Sequence, residues 1–263
     1  MGTANVEAGT SWTSTARDAA ASRPGIESAV LLSVIVPVYN EAASIEKVIS
    51  AVDAVPLPKE IVVVDDGSTD GTSEKVRGCR PLAELHVLRH PVNRGKAAAI
   101  RSALNLVRGE FVIIQDADLE YFPSDYPALL QPLLEGQTNA VYGVRNDHPS
   151  RGRTLYLGAR FLTLLTNLLY RCDIHDEATG YKVFRRNLLQ RIILEREGFD
   201  FCPEVTAKIA RLGERIHEVP ISYHPRLEHQ GKKLHWTDGI SATWTLIRYR
   251  FAPRNSFERI ARD

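Results

Sequence analysis

An α/β fold with a mostly parallel sheet flanked by helices follows from three observations on the sequence. Short β-branched runs, among them Ile61-Val62-Val63-Val64 and Phe111-Val112-Ile113-Ile114, are apolar at every position, as strands buried on both faces are. They alternate with helical stripes about every 25 to 30 residues, the pattern of parallel strands joined by crossover helices. The runs stop abruptly in polar turns: Pro37-Val38-Tyr39-Asn40-Glu41, Asp65-Asp66-Gly67-Ser68 and Gln115-Asp116-Ala117-Asp118. In open α/β sheets that carboxyl edge is where ligands bind.

Each element can be justified in order. Residues 1–28 are rich in Ala, Ser, Thr and Gly and poor in bulky apolar side chains, so they read as a disordered tail. A first strand covers 31–36 and stops at Pro37. A helix over 42–52 follows, with Ile45, Val48, Ile49 and Val52 on one face and Asn40 as its expected N-cap. Strands at 60–64, 85–88 and 111–114 alternate with helices over 72–77 and 97–107. Further on, helices are expected over 126–134, 155–170, 187–195 and 204–212. Strands are expected over 139–143, 181–184 and 216–219. The stretch 236–251 carries Trp236, Ile240, Trp244, Ile247 and Phe251 with Arg248 and Arg250, an amphipathic helix. It is expected to lie in a membrane interface or to pack on the main domain. The chain thus divides into the tail, a main domain over 29–235 with halves 29–120 and 121–235, and a C-terminal helix and tail over 236–263.

Composition excludes several classes. At 263 residues with 44% hydrophobic and 25% charged residues, the chain suits an ordinary globular domain. A net charge of +1 leaves no nucleic-acid footprint. Three scattered cysteines give no disulfide framework and predict reduced thiols in a cytoplasmic setting. No apolar run approaches the ~20 residues that span a bilayer, and the N-terminus has no signal-peptide pattern. G-x-G-x-x-G and P-loop patterns are absent, so neither NAD nor ATP chemistry is indicated.

Asp116 and Asp118, two apart at a strand end, would point to one side of an extended backbone. Paired carboxylates suit a hard divalent cation, Mg²⁺ or Mn²⁺; solvated loop aspartates are the plainer alternative. The runs V-I-V-P-V-Y-N-E, I-V-V-V-D-D-G-S-T-D-G-T, N-R-G-K-A-A-A-I and D-A-D-L-E resemble, in that order, family 2 glycosyltransferases of the GT-A fold. Gly143-Val144-Arg145, Asp176 to Phe184 (D-E-A-T-G-Y-K-V-F), Glu218-Val219-Pro220-Ile221 and Gly231-Lys232-Lys233 are similar to the dolichyl- and polyprenyl-phosphate mannose and glucose synthases of that family.

The resemblance implies a nucleotide-sugar half (29–120) and an acceptor half (121–235). It implies inverting transfer of a hexose from a nucleotide-diphosphate sugar, UDP-linked in preference with GDP-mannose as the alternative, to a polyprenyl phosphate. Donor contacts then fall to Pro37, Tyr39, Glu41, Asp65, Asp66, Lys96, Asp116, Ala117, Asp118, Arg226, Lys232 and Lys233, with Asp116 and Asp118 on the metal. Arg145, Arg153 and Glu177 face the acceptor, and Asp176, Asp118 and Arg145 carry the chemistry. A hydroxyl acceptor would need Asp176 as general base, whereas a phosphate arrives ionised and needs none. A soluble hydroxyl acceptor and a non-catalytic nucleotide-sugar-binding protein are the alternatives. Members of this branch often carry C-terminal membrane helices, and this sequence has only the amphipathic stretch. A cytoplasmic location is therefore expected, peripheral on the cytoplasmic membrane face if that stretch lies in the interface instead of packing on the main domain.

Overall fold

A computed structural model describes residues 30–145, 153–226 and 236–259. The tail over 1–28 and the pair Lys232 and Lys233 lie outside the described residues. The strands are β1 (Leu32–Val38), β2 (Lys59–Asp65), β3 (Glu84–Arg89), β4 (Phe111–Ile114), β5 (Ala140–Arg145), β6 (Lys182–Arg185) and β7 (Ile216–Ile221). The helices are α1 (Ile45–Asp53), α2 (Thr72–Gly78), α3 (Lys96–Ala103), α4 (Tyr126–Leu134), α5 (Arg153–Tyr170), α6 (Arg186–Arg191), α7 (Phe201–Arg211) and α8 (Trp236–Phe251).

All seven strands form one sheet in the order β3-β2-β1-β4-β6-β5-β7. The apolar runs of β1, β2 and β4 are fully buried because helices cover both faces. One core gathers Val34, Val36, Ile61, Val63 and Ile113 with α1 and α4; the other gathers Ile35, Val62, Val64, Val112 and Ile114 with α3 and α7. This opposite assignment of alternate residues is the period-2 pleat at work. β1 to β4 are parallel, but β6 inserts antiparallel between β4 and β5. The two sequence halves therefore share a single sheet.

Pro37 sits inside the central strand β1, where a missing N–H would ordinarily break the ladder. Gln115 N–H donates to Ile35 O, so odd-numbered residues of β1 face β4. The pairing of β1 with β4 stops at Ile35 opposite Ile114, so Pro37 has no β4 partner to lose. The sheet splits at that point, and the split is the topological switch at which a ligand crevice opens.

Two expectations on local structure fail. The first helix starts at Ile45, and Asn40 does not cap it: Asn40 has φ 50° and accepts the Thr69 N–H through its side chain. That bond ties the β1 turn to the β2 turn, a use for the side chain that the sequence pattern does not show. The helix expected over 187–195 ends at Arg191, because Ile192 turns extended and Ile193 N–H pairs with Phe257 O instead.

Candidate active site

The crevice is a cavity of about 1260 Å³ at the carboxyl ends of β1 and β4. Pro37, Tyr39, Glu41, Asp66, Lys96, Asp116, Ala117, Asp118, Arg145, Glu177 and Arg226 all line it, drawn from seven separate stretches of chain. Asp65 does not. Its buried carboxylate accepts the Ser68 N–H at 2.9 Å and the Ser73 hydroxyl, so it closes the turn leading into α2. Neighbouring residues at a strand end point to opposite faces, and only Asp66 faces the cavity side.

Asp66 shapes the loop before α3. Its carboxylate accepts from Arg94 N (2.9 Å), Gly95 N (2.7 Å) and the His90 ring at 2.6 Å. Gly95 has φ 92°, and a Cβ there would lie 2.2 Å from Glu197 O, so no other residue fits. This loop geometry delivers Lys96, whose ammonium donates to Asp116 Oδ1 at 2.5 Å. Burial would lower the Lys96 pKa, but Asp116 outweighs it and the ammonium stays charged.

β4 ends at Ile114, so Asp116 and Asp118 sit in a turn instead of an extended strand, and Leu119 follows with φ 64°. Both carboxylates nevertheless line the cavity. The Asp118 pKa is pushed up to about 7 by burial, then by Asp116 and Glu120; the Glu120 N–H and Arg226 only partly offset this. Arg226 clamps two segments to its own: its Nε donates to Asp118 O at 2.7 Å and its N–H to Glu120 at 2.7 Å, while its Nη2 donates to Glu41 at 2.8 Å. Among the described residues no group of three or more His, Cys, Asp or Glu has metal-ligand geometry. Two cavity-facing carboxylates, Asp116 and the Asp118 whose pKa it helps to raise, still fit one dication whose remaining ligands would be diphosphate oxygens and water.

Arg145 and Asp176 lie together. Arg145 Nε and Nη2 donate to the two carboxylate oxygens, each at 2.6 Å, and the Arg145 N–H donates to the same group at 3.2 Å. Both side chains are nearly buried, at 9% and 13% exposure. Arg145 also donates to Tyr121 Oη at 3.1 Å and sits 5.3 Å from the Tyr223 ring centroid. A carboxylate gripped by a planar fork is a weak base. Arg153 opens α5. Glu177 is 1% exposed, its carboxyl facing Lys182 and the Thr206 hydroxyl. Burial pushes its pKa up to about 7, against the pull of Lys182.

Sequence reasoning missed Gln115, Tyr121 and Tyr223. Gln115 accepts from Tyr126 Oη (2.6 Å) and Tyr181 Oη (2.7 Å) and fixes the start of the aspartate turn. Tyr121 Oη accepts the Gly180 N–H at 2.7 Å and its ring packs on Tyr181 and Tyr223. A Cβ at Gly180 would lie 2.4 Å from Asp116 Oδ2. Aromatic residues beside acidic strand ends were the available signal.

The cavity continues between α5 and α8 along Phe161, Leu162, Ile240, Trp244 and Ile247, with Phe199 opposite. α8 packs with Ala242, Thr245, Leu246 and Tyr249 buried, so it lies on the main domain with its other face exposed. No helix among the described residues is long and apolar enough to cross a membrane.

Comparison with known proteins agrees with the geometry. The chain is 30% identical over 240 residues to the dolichyl-phosphate beta-glucosyltransferase of Trichomonas vaginalis, covering 83% of this chain and 72% of that protein. It is 28% identical over 223 residues to the dodecaprenyl-phosphate galacturonate synthase of Rhizobium johnstonii, covering 82% of this chain but only 64% of that protein. Glucosyl-3-phosphoglycerate synthase from Mycobacterium tuberculosis, in complex with phosphoglyceric acid, superposes with a TM-score of 0.72 at 24% identity, covering 92% of this chain and 85% of that one. Residues 33–193 match the family described as Glycosyl transferase family 2. That match takes in more than half of the sequence and the ends of both β1 and β4, and the chain belongs to glycosyl transferase family 2 with a GT-A fold.

Proposed function

We propose that the protein transfers a hexose, with inversion, from a UDP-linked sugar to a polyprenyl phosphate. One observation carries the choice of acceptor. The cavity that holds the carboxylates continues as an apolar channel between α5 and α8, walled by Phe161, Leu162, Ile240, Trp244 and Ile247. A soluble sugar or organic acid gains nothing from such a wall, whereas a prenyl tail gains about 25 cal/mol per Å² buried. The names of the Trichomonas and Rhizobium relatives support the same acceptor class. GDP-mannose remains the alternative donor, and complexes of the structural neighbour with UDP and Mn²⁺ or Mg²⁺ support UDP and a divalent cation.

Roles follow from the contacts. Tyr39, Asp66 and the Pro37 turn form the wall for the nucleoside, and Arg226 holds the Glu41 and Asp118 turns in register. Asp116 and Asp118 would hold Mg²⁺ or Mn²⁺, which supplies Lewis-acid stabilisation of the departing diphosphate. Lys96 stands beside Asp116 to neutralise the same charge, and Lys232 and Lys233 belong to the same task. Arg145 presents a cation for the acceptor phosphate, with Arg153 as a second. Asp176 acts as a positioning residue that holds Arg145, in place of the general base that a hydroxyl acceptor would demand.

The structural neighbour, named for a soluble phosphorylated acid, favours one second reading: transfer to a soluble acceptor. The test is a product assay by mass spectrometry with Mn²⁺, offering UDP-hexoses and GDP-mannose against a short-chain prenyl phosphate and against 3-phosphoglycerate. Hexosyl prenyl phosphate is expected. Product from the acid alone transfers the assignment to the soluble reading. Absence of any transfer with every donor, despite UDP binding, supports a non-catalytic binding protein.

A further inference from the structure

Two helices expose apolar stripes with the same spacing. On α5 these are Leu157, Phe161, Leu164 and Leu168, at 58, 54, 64 and 78% exposure. On α8 they are Ile240, Trp244, Ile247 and Phe251, at 60, 59, 36 and 78%. Both follow i, i+4, i+7, i+11, one continuous face of a helix. The helices pack together through their opposite faces, where Leu162, Leu165 and Leu169 meet Leu246 and Tyr249. Singly scattered exposed apolar residues are ordinary, but eight large ones on two packed helices, four of them lining one cavity, mark an interaction surface.

We propose that this double stripe docks the protein on an anionic bilayer, with the cavity mouth facing the lipid. The inference deepens the lipid-acceptor reading above and rests on it for its purpose. Charge picks the occupant. α5 carries Arg153 and Arg160 with no acidic residue, and α8 carries Arg248 and Arg250 against the single Asp238. Arg171 and Arg254 follow the two helices and are exposed; Arg254 pairs with Glu258 and Arg248 with Glu195, both arginines staying at the exposed surface. Arginines around an apolar stripe match acidic headgroups around acyl chains. A second copy of the chain fits less well. A two-fold contact through this face would set like charges against each other and cover the cavity mouth. Phe161, Ile240, Trp244 and Ile247 line the cavity from both stripes while staying exposed, so a bilayer there delivers the prenyl chain sideways into it. Leu157, Leu164, Leu168 and Phe251 lie outside the cavity and serve docking alone.

The experiment is flotation of the full chain with phosphatidylcholine vesicles, with and without 30% phosphatidylglycerol (on the order of a natural anionic content). The wild type is expected to float with the anionic vesicles and to be released by salt. Leu164→Glu with Leu168→Glu, and separately Phe251→Glu, should each reduce the bound fraction at least tenfold. Turnover on a water-soluble short-chain prenyl phosphate should stay at the wild-type level, because none of these side chains reaches the cavity. Wild type that stays at the bottom of the gradient overturns the proposal, as do variants that float as well as wild type. A concentration-dependent dimer that the variants break assigns the face to a second copy instead. Loss of short-chain turnover in the wild type itself would strike the acceptor reading and leave the docking measurement standing on its own.

Discussion

Asp176→Asn is the substitution that separates the two chemical readings of the site, and its effect can be worked out from the contacts. Asp176 receives two charge-assisted bonds of 2.6 Å from Arg145, with both side chains nearly buried. Removing one partner of a buried pair costs about 3 to 5 kcal/mol, because the other charge is left desolvated. In a domain of this size each kcal/mol lowers the melting temperature by roughly 2 to 4 °C. Arg145→Met should therefore melt ~6 to 20 °C below wild type. Asp176→Asn should fall at the low end, since the amide oxygen still accepts one bond and Tyr121 and Tyr223 still face the guanidinium.

The double variant should be less unstable than the sum of the two, with a coupling of about 2 to 3 kcal/mol. Calorimetric unfolding at pH 7.5 without nucleotide measures all four corners of the cycle. At temperatures where Asp176→Asn is folded, its KM for prenyl phosphate should rise while UDP affinity in Mn²⁺ is kept. The turnover loss should stay below the 10² to 10⁴ that removal of a general base brings. Additivity within about 0.5 kcal/mol, together with a full base-type rate loss, would refute the positioning role and return Asp176 to proton transfer.

Three further outcomes follow from the same site. Gly180→Ala places a methyl 2.4 Å from Asp116 Oδ2 and 2.9 Å from the Tyr121 ring, so calorimetry should show UDP–Mn²⁺ binding at least tenfold weaker with the fold retained; wild-type affinity would contradict the geometry. Asp118 ionises only near pH 7, so Mn²⁺-dependent UDP binding should strengthen from pH 5.5 to 7.5, and Asp118→Asn should bind weakly with no such rise. Glu177 has a folded pKa of about 7 against an ordinary 4.5, so the native state binds the extra proton and stability must fall as pH rises between those values. Urea unfolding of Glu177→Gln should lack that fall, on the order of 3 kcal/mol; equal pH slopes in the two proteins would refute the buried-acid assignment.

Much of this architecture was legible because burial on both faces leaves a distinctive mark. Runs such as Ile61-Val62-Val63-Val64 have no polar position, and the polar turns after β1, β2 and β4 do meet at one crevice. The antiparallel β6 was not legible, since Lys182-Val183-Phe184 reads the same in either direction of pairing. Asp65 and Asp66 were read as one pocket wall, although adjacent residues at a strand end diverge. Arg145 and Asp176 are 31 positions apart, and only the shared sheet brings the loop before β6 back across the end of β5. In α5 the apolar residues were visible, but hydrophobicity alone does not separate Leu162 and Leu165, which pack, from Leu164 and Leu168, which face outward.

The pattern of compensation inside the cavity leaves two acids, Asp118 and Glu177, short of favourable partners. Glu41 is held by Arg226, Asp66 by two backbone N–H groups and His90, Asp116 by Lys96, and Asp176 by Arg145. Asp118 has a backbone N–H and a more distant Arg226, set against burial and two acidic neighbours. With Glu177 it is one of two cavity acids whose ionisation burial resists, and of the two only Asp118 stands at the aspartate turn. A cation bound there gains most where the protein's own charges give least, and it removes a strain that the ligand-free fold carries at neutral pH. The same arithmetic limits the cation's independence: two protein carboxylates, one already shared with an ammonium, leave most of a dication's coordination to the diphosphate. Metal and nucleotide should therefore bind as a pair, each raising the other's affinity by the same factor, because the coupling is reciprocal.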